Sequence, residues 1–235
     1  MTNRINSGII YQMIECHKTG GNKKMKFDKR FFLVCMYVLL ASTAGAEIFP
    51  GPITSWNKTA KVPKVSETAY VSLNASVIGE VYIGDNVYIA PGASVRGDEG
   101  VPIYIGSGTN IQDGVIIHAL KDKFVMIEGK KYAVYIGKDV CVAHGAIIHG
   151  PCAIGDGSFV GFNSTVFKAI VGKNCAVLHH SLVTNNVKIP DNKCVPSGTV
   201  IDSQHLASTL GNITEDVIEL KKEVVEVNKE FAAGY

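Results

Sequence analysis

The chain has 235 residues, of which 46% are hydrophobic, and a formal net charge of +2 at pH 7. This length allows one or two domains with a sizeable hydrophobic core. The near-balance of charge excludes the strongly basic surface that nucleic-acid binding requires, so we expect no nucleic acid among its partners.

The first part of the chain carries the three features of a secretory signal peptide. Basic residues precede the apolar block 31–40, and the small-x-small sequence Ala44-Gly45-Ala46 follows it. The block is too short for a membrane span, which needs about 20 apolar residues. We therefore expect a signal peptide over residues 25–46 and, after its cleavage, export to the periplasm or the extracellular space without stable membrane association. A retained anchor helix is the alternative.

Residues 1–24 precede this signal without belonging to its pattern. We expect them to be an over-called extension, with translation beginning at Met25. The cysteines of the mature chain have no spacing typical of a metal or redox motif. An exported protein can form disulfides, but we favour small core or coil residues. These cysteines are Cys141, Cys152, Cys175 and Cys194.

An aliphatic side chain recurs at every sixth position from Val71 to Ile201, with a few interruptions. A six-residue repeat is the signature of a parallel β-helix, in which three hexads close a triangular coil and the aliphatic side chains stack inside. We therefore predict an all-β fold, a left-handed parallel β-helix over residues 66–201, preceded by an extended segment over 47–65. The predicted inward residues are Val71, Val77, Ile83, Ile89, Val95, Ile105, Ile111, Ile117, Ile136, Val142, Ile148, Ile154, Val160, Val166, Val171, Val177, Val183, Ile189, Val195 and Ile201.

The period changes after this repeat, and we predict a C-terminal helical segment over residues 202–235. Apolar side chains at three- and four-residue steps indicate an amphipathic α-helix. Thr214, followed by two acidic residues, is its expected N-cap, and a shorter helix is expected near residues 203–210. The apolar stripe is expected to cover a face of the prism or a neighbouring subunit. Its residues are Val217, Leu220, Val224, Val227 and Phe231.

Counting hexads brings two histidines together. His118 directly follows the inward Ile117, and His149 directly follows the inward Ile148, three hexads later. Because three hexads make one coil, the two side chains should lie on one face with their backbones ~4.8 Å apart. That separation allows two imidazoles to share a metal ion with bonds of about 2.1 Å.

His144 follows an inward residue by two positions and belongs to the preceding face. It cannot readily join the pair within one subunit, but a trimer of prisms would bring it from the adjacent chain. Three neutral imidazoles with an open position form the arrangement of a catalytic zinc site. The alternative is that all three are ordinary surface histidines. We assign His179, His180 and His205 to the surface or the coils.

These residues carry a resemblance to a known family. The segments "SWN", "ASVIGEVYIG", "PGASVRGDEGVPIYIG", "NIQDGVIIHAL" and "AHGAIIHGP" closely resemble the gamma-class carbonic anhydrases, in particular their exported archaeal type. The resemblance implies a homotrimer that interconverts CO2 and bicarbonate through a metal-bound hydroxide. It implies a Zn²⁺ ion, or Fe²⁺ or Co²⁺, held between subunits by His118, His144 and His149.

The resemblance also implies roles for five further residues. Gln112 matches the residue that orients the bound water, and Asp113 lies beside it. Glu99 matches the acidic residue that handles bicarbonate or transfers protons. Arg96 and Asp98 match a salt-bridged group at the trimer interface, for which a purely structural duty and a catalytic duty are equally open.

The chain departs from the family pattern in the segment that exports protons. Lys121 stands where the family has a glutamate, and the loop that follows is several residues shorter. Asp122 and Glu128 are the remaining acidic candidates. The family's C-terminal asparagine near the site is expected to be replaced, around Lys221. The sequence therefore predicts metal binding without predicting fast turnover.

Two other functions stay open. Hexapeptide acyltransferases share the β-helix and commonly use one histidine as a general base, and fold alone does not decide function. A gamma-class homologue that binds metal with little or no anhydrase activity is the other alternative.

Overall fold

The computed structural model describes residues 46–235, and the predicted extension and nearly all of the predicted signal peptide lie outside this range. The described chain forms 24 short strands and two helices. The strands are β1 (Glu47–Phe49), β2 (Lys64–Val65), β3 (Tyr70–Val71), β4 (Ser76–Gly79), β5 (Val81–Ile83), β6 (Tyr88–Ile89), β7 (Ser94–Gly97), β8 (Ile103–Ile105), β9 (Asn110–Ile111), β10 (Ile116–Ala119), β11 (Val125–Ile127), β12 (Lys130–Tyr132), β13 (Val134–Ile136), β14 (Cys141–Val142), β15 (Ile147–Gly150), β16 (Cys152–Ile154), β17 (Phe159–Val160), β18 (Thr165–Phe167), β19 (Ile170–Val171), β20 (Ala176–Val177), β21 (Leu182–Val183), β22 (Lys188–Ile189), β23 (Cys194–Val195) and β24 (Val200–Ile201). The helices are α1 (Gln204–Thr209) and α2 (Glu215–Gly234).

The strands form three parallel sheets, which are the faces of the predicted β-helix. Face A has the order β1-β4-β7-β10-β15-β18-β21-β24, face B the order β2-β5-β8-β13-β16-β19-β22, and face C the order β3-β6-β9-β14-β17-β20-β23. Strands β11 and β12 form a separate antiparallel hairpin that projects between β10 and β13. The parallel β-helix predicted from the hexads is confirmed.

The inward aliphatic residues form one continuous core. Nearly all of them are fully buried, and Val71, in the first coil, is partly buried because fewer coils cover it. Corner residues adopt left-handed backbone conformations, as at Asn174 (φ 52°) and Asn192 (φ 61°), which asparagine tolerates better than most residues. Stacking of like positions therefore determines which residues become neighbours on adjacent coils.

The two helices lie where the sequence predicts them. The side chain of Ser203 accepts a hydrogen bond from the backbone N–H of Leu206 at the start of α1, and Thr214 is the N-cap of α2. Among residues 46–235, neither helix combines the length and the apolar composition that a membrane span needs.

The predicted apolar stripe of α2 lies only partly against its own prism, where Val217 and Val224 pack on face C. Leu220, Val227 and Phe231 are 42–45% exposed, whereas Lys221, Val225 and Asn228 are buried against the prism. The apolar stripe is wider than the contact that the helix makes with its own chain. The helix therefore leaves an apolar edge free, which fits the second expected use of the stripe, contact with another subunit.

Two lysines anchor α2 to the corner between faces B and C. Lys221 Nζ donates to the Gly157 carbonyl at 2.7 Å, and Lys229 Nζ pairs with Asp139 Oδ1 at 3.0 Å. Between them Val225 packs into a second apolar cluster on the outside of face C, formed with Cys141, Ala143, Phe159 and Ala176.

The four cysteines of the described chain are free thiols. Cys141, Cys152 and Cys175 are buried, and Cys194 is partly buried. Burial raises the pKa of the Cys141 thiol to about 12, so this side chain stays protonated and behaves as a small apolar residue. The preference for core or coil cysteines over disulfides agrees with this structure.

We expect the two anchoring lysines to affect stability with opposite pH dependence. Burial lowers the pKa of Lys221, so the unfolded chain binds this proton more tightly and stability rises with pH between the lowered value and the usual value. The hydrogen bond to Asp139 raises the pKa of Lys229, so its contribution is lost as pH rises through that raised value.

Urea unfolding of the wild type, Lys221→Met and Lys229→Met from about pH 8 to about pH 11 measures both effects. As pH rises, the free energy of unfolding of the wild type should increase relative to that of Lys221→Met. At the alkaline end it should decrease relative to that of Lys229→Met. If the two differences in unfolding free energy, wild type minus each variant, change with pH in the same direction, the opposite roles of the two lysines are contradicted.

Candidate metal centre

His118 and His149 are direct neighbours on adjacent strands of face A. Strand β10 pairs with β15 so that His118 lies opposite His149, as the hexad count predicts. Their ring centroids are 5.4 Å apart and the rings are nearly perpendicular. This spacing lies within the span of two imidazoles bound to one ion through bonds of ~2.1 Å. The fold thus brings together two of the three predicted histidine ligands without any loop rearrangement.

His149 is held in one tautomer. Its Nδ1 lies 3.2 Å from the Gly150 carbonyl oxygen, which can only accept, so Nδ1 carries the proton and Nε2 keeps a free lone pair. Burial lowers the pKa of His149, although the bond to Gly150 opposes the shift. The imidazole therefore favours the neutral form, which is the form that binds a metal ion.

His118 lies in a small group of acidic side chains. Its Nε2 is 3.1 Å from Asp98 Oδ1 and 3.5 Å from Glu99 Oε1. Arg96 pairs with the other Asp98 oxygen at 3.1 Å. Within residues 46–235, Asp98, Glu99 and His118 are the one group of metal-ligating side chains whose donor atoms converge. An ion bound through His118 Nε2 must displace Asp98 from that nitrogen.

The N-terminal arm holds the backbone of Asp98. Trp56 Nε1 donates to the Asp98 carbonyl at 3.1 Å, and the Asn57 side-chain amide donates to the same oxygen. Sequence reasoning matched this "SWN" segment to the family but gave it no role. No periodic signal could have found the contact, because the arm is irregular and 41 residues separate Asn57 from Asp98.

His144 is separate from the pair within one chain. It follows β14 of face C and lies on the corner between faces C and A, where its Nδ1 is 3.0 Å from Asp113 Oδ2. This bond assigns Nδ1 as a donor and leaves Nε2 free, the usual arrangement of a metal-binding histidine backed by a carboxylate. The structure therefore brings Asp113 to His144, but does not bring His144 to His118 and His149.

Gln112 is buried beside His144 with a fixed amide. Its Nε2 donates to Asn110 Oδ1 at 3.2 Å and contacts Cys141 Sγ at 3.5 Å, and its Oε1 is one of two buried side-chain polar atoms in the described chain that lack a partner. A buried carbonyl oxygen left unpaired is costly unless a ligand or water meets it. Gln112 therefore offers an unpaired acceptor in the groove that His144 also lines.

Asn228 of α2 completes this surface. A groove of about 400 Å³ between α2 and the corner is lined by Gln112, His144 and Asn228, together with Asp113 and Tyr88. Lys221, around which the family's C-terminal asparagine was expected to be replaced, donates to the Gly157 carbonyl. Asn228, seven residues later on the same buried face of α2, is the residue that lines this groove.

Exposed apolar side chains border both halves of the site. Ile116 and Ile147, two residues before the paired histidines, are 46% and 37% exposed on face A. Leu220, Val227 and Phe231 project from α2 along the groove that contains His144. Contiguous apolar patches on a soluble protein mark contact surfaces. Each half of the ligand set thus lies at the edge of a surface suited to another chain.

Lys121 points into a cluster of its own. Its Nζ is 2.9 Å from Asp122 Oδ2 and lies over the Trp56 ring at 5.3 Å from the centroid. The Asp122 N–H donates to the Glu99 carbonyl at 2.9 Å, whereas Glu128 lies at the exposed tip of the β11–β12 hairpin. Of the two acidic alternatives, Asp122 is the one next to the site.

Known proteins resemble the chain in the same regions. The bacterial transferase hexapeptide family (six repeats) matches residues 133–168. A carbonic anhydrase of Methanosarcina thermophila is 39% identical over 244 residues, which cover 90% of this chain and 98% of the relative. The carboxysome assembly protein CcmM of a Nostoc species is 43% identical over 78% of this chain, but the match spans only 33% of that longer protein.

A solved structure, a hexapeptide transferase family protein of Anaplasma phagocytophilum, superposes with a TM-score of 0.60 at 28% identity, over 74% of this chain and 93% of the other. The near full-length match to the archaeal carbonic anhydrase, together with the hexapeptide repeats and the paired histidines, identifies the lineage. The chain belongs to the gamma-class carbonic anhydrase family.

Proposed function

We propose that the chain forms a homotrimer that reversibly hydrates CO2 to bicarbonate at metal sites between its subunits. His118 and His149 of one subunit and the partner subunit's His144 would hold each ion. The observation that carries this proposal is the exact register of His118 and His149 on face A, beside a third histidine that the same chain cannot add.

The trimer is supported by what each half of the site lacks. The pair on face A offers two imidazoles and needs a third ligand. His144 has a free Nε2 and, within residues 46–235, stacks on Phe162 and not on another imidazole. The exposed isoleucines beside the pair and the free edge of α2 beside His144 provide apolar area to bury. A closed ring of three prisms completes each ligand set and buries the apolar side chains through one repeated heterologous contact.

The donor set fits a divalent ion. Three neutral imidazoles accept Zn²⁺, Fe²⁺ or Co²⁺, and the structure holds His149 and His144 in tautomers with Nε2 free. These imidazoles would hold the ion, whose chemistry would be to lower the pKa of a water molecule toward neutrality and so provide hydroxide for attack on the carbon of CO2. Asp98, displaced from His118 Nε2, keeps its pairing with Arg96.

The chain's own residues would orient the reactants and move the proton. The unpaired Oε1 of Gln112 is an acceptor for a hydrogen of the reacting water, and Asn110 and Cys141 hold the amide in that orientation. Asn228 adds an amide across the groove. Glu99 lies 3.5 Å from His118 and, unlike Asp98, is not paired with Arg96, so it is the carboxylate that would take the proton released with each bicarbonate.

Proton exit is the step in which this chain differs from the family pattern. Lys121 replaces the expected glutamate, and its ammonium is held by Asp122 and the Trp56 ring. An ammonium group has donors and no acceptor, so it does not replace a carboxylate as a proton acceptor. We expect Asp122, whose backbone N–H is hydrogen-bonded to the Glu99 carbonyl, to be the remaining route for the proton. We expect proton transfer along this route to limit turnover.

We expect His149→Ala to abolish CO2 hydration and to lower the bound metal of the purified trimer, because the site loses one of its three imidazoles. Stopped-flow hydration and elemental analysis of anaerobically purified protein measure both. His205→Ala, a change at an exposed histidine of α1, is the matched control and should leave both unchanged. Wild-type hydration by His149→Ala contradicts the assignment, and a metal-replete wild-type trimer without hydration rejects the proposed activity.

We expect Lys121→Glu to raise kcat at low buffer concentration and to leave kcat/KM nearly unchanged, because an added carboxylate assists proton export and not the attack on CO2. Lys123→Glu makes the same charge change two residues along the exposed loop and should have little effect. Stopped-flow assays over a range of buffer concentrations measure the difference. Zero activity in both variants supports a metal-binding protein that is not an anhydrase.

Two observations favour other functions, and the same experiments separate them. The similarity to the carboxysome assembly protein CcmM and the lysine at position 121 favour a metal-binding assembly protein. The match of residues 133–168 to a transferase family and the superposition on a hexapeptide transferase family protein favour an acyltransferase. An acyltransferase predicts acyl transfer from acyl-CoA that does not require bound metal.

We also propose export after cleavage of the signal peptide at Ala46. The support is the order of basic, apolar and small residues before this position. Amino-terminal sequencing of the protein from its native cells should begin at Glu47.

A further inference from the structure

A column of side chains rises along the corner between faces C and A. Each member stands two residues after the inward residue of a face C strand, and strands β9, β14, β17 and β20 pair in sequence. Because equivalent positions stack on adjacent coils, these side chains are vertical neighbours. The members of this corner column are Asp113, His144, Phe162 and His179.

The Phe162 ring lies between two imidazoles. Its centroid is 5.5 Å from that of His144, with the planes inclined by 29°, and 4.4 Å from that of His179, with the planes inclined by 21°. Both are offset-stacked geometries of the kind that aromatic pairs favour. His144 is therefore held at its edge by the Asp113 carboxylate and on its face by Phe162.

His179 is fixed independently of this stacking. The backbone N–H of Phe162 donates to His179 Nδ1 at 3.0 Å, which assigns Nδ1 as the acceptor and places the proton on Nε2. The edge of Phe159 packs against the same imidazole, with a centroid distance of 6.0 Å and an angle of 89°. His179, treated as an unassigned surface residue by sequence reasoning, thus backs the far side of the Phe162 ring.

We propose that Phe162 and His179 are positioning residues that fix the His144 imidazole for donation to the neighbouring subunit's metal site. The inference rests on the proposed function, in which His144 is a metal ligand. It adds two residues that touch neither metal nor substrate and act through His144 alone.

His144 needs such support more than the other two histidines. Its side chain is 56% exposed, and the Asp113 carboxylate that binds it is 57% exposed, so this pair alone restrains the ring weakly. His118 and His149 are partly buried and stand on paired strands. A ligand that must reach another subunit binds more tightly when its orientation is set beforehand, because less side-chain entropy is lost on binding.

Phe162→Leu and His179→Ala test the proposal. Each removes one stacking partner of the column, and we expect zinc affinity, measured by chelator competition, to fall by about 3- to 10-fold while the trimer mass is unchanged. Phe162→Tyr keeps the ring and should retain wild-type affinity. Phe124→Leu is the matched control, since Phe124 is 40% exposed on the β11–β12 hairpin, close to the 43% of Phe162. Unchanged affinity in both test variants overturns the proposal.

A second measurement separates this inference from the proposed function. In crystals of metal-free wild type, the His144 ring should occupy a single conformer, and in metal-free Phe162→Leu it should occupy several. If the wild type binds no zinc, the proposed function fails. The comparison of His144 conformers still decides whether Phe162 positions the imidazole. One ordered conformer in both proteins overturns it.

Discussion

The six-residue repeat of inward aliphatic side chains is the constraint on which the rest of the structure depends. Burying one such residue per hexad winds the chain into three-sided coils, and the backbone hydrogen bonds between coils fix their vertical register. A slip of one residue would expose the aliphatic side chains, so the register is strongly specified. The alignment of His118 with His149, and of His144 with Asp113 and Phe162, follows from this winding.

A rigid prism also explains why the proposed site is divided between subunits. Residues one coil apart on a face converge, whereas a residue on a corner points away from that face and can meet it only on a second prism. The same division leaves Ile116 and Ile147 exposed beside one half and the apolar edge of α2 beside the other. The apolar surfaces that an isolated chain leaves exposed therefore lie next to the two incomplete sets of histidine ligands. In the proposed trimer, assembly and metal binding would share one contact.

The repeat allowed the fold, the strand register and the histidine pair to be predicted, because a six-residue period determines which residues point inward and which ones stack on adjacent coils. The buried face of α2 could not be predicted, since its apolar stripe is wide enough to serve two contacts and the face turned to the prism includes a lysine, Lys221, bonded to Gly157. Asn228 was missed for the same reason. The bonds from Trp56 and Asn57 to Asp98 arise in an irregular arm, where no period relates sequence to position.

Subunit complementation tests the divided site most directly. His149→Ala subunits keep His144, and His144→Ala subunits keep His118 and His149, so each variant alone should bind little metal and hydrate no CO2. When the two variants are unfolded together and refolded as mixed trimers, an intersubunit site predicts that one complete site forms in each mixed trimer, with partial recovery of bound zinc and of hydration. Mixed trimers that recover neither, while refolded wild type recovers both, contradict a site shared between subunits.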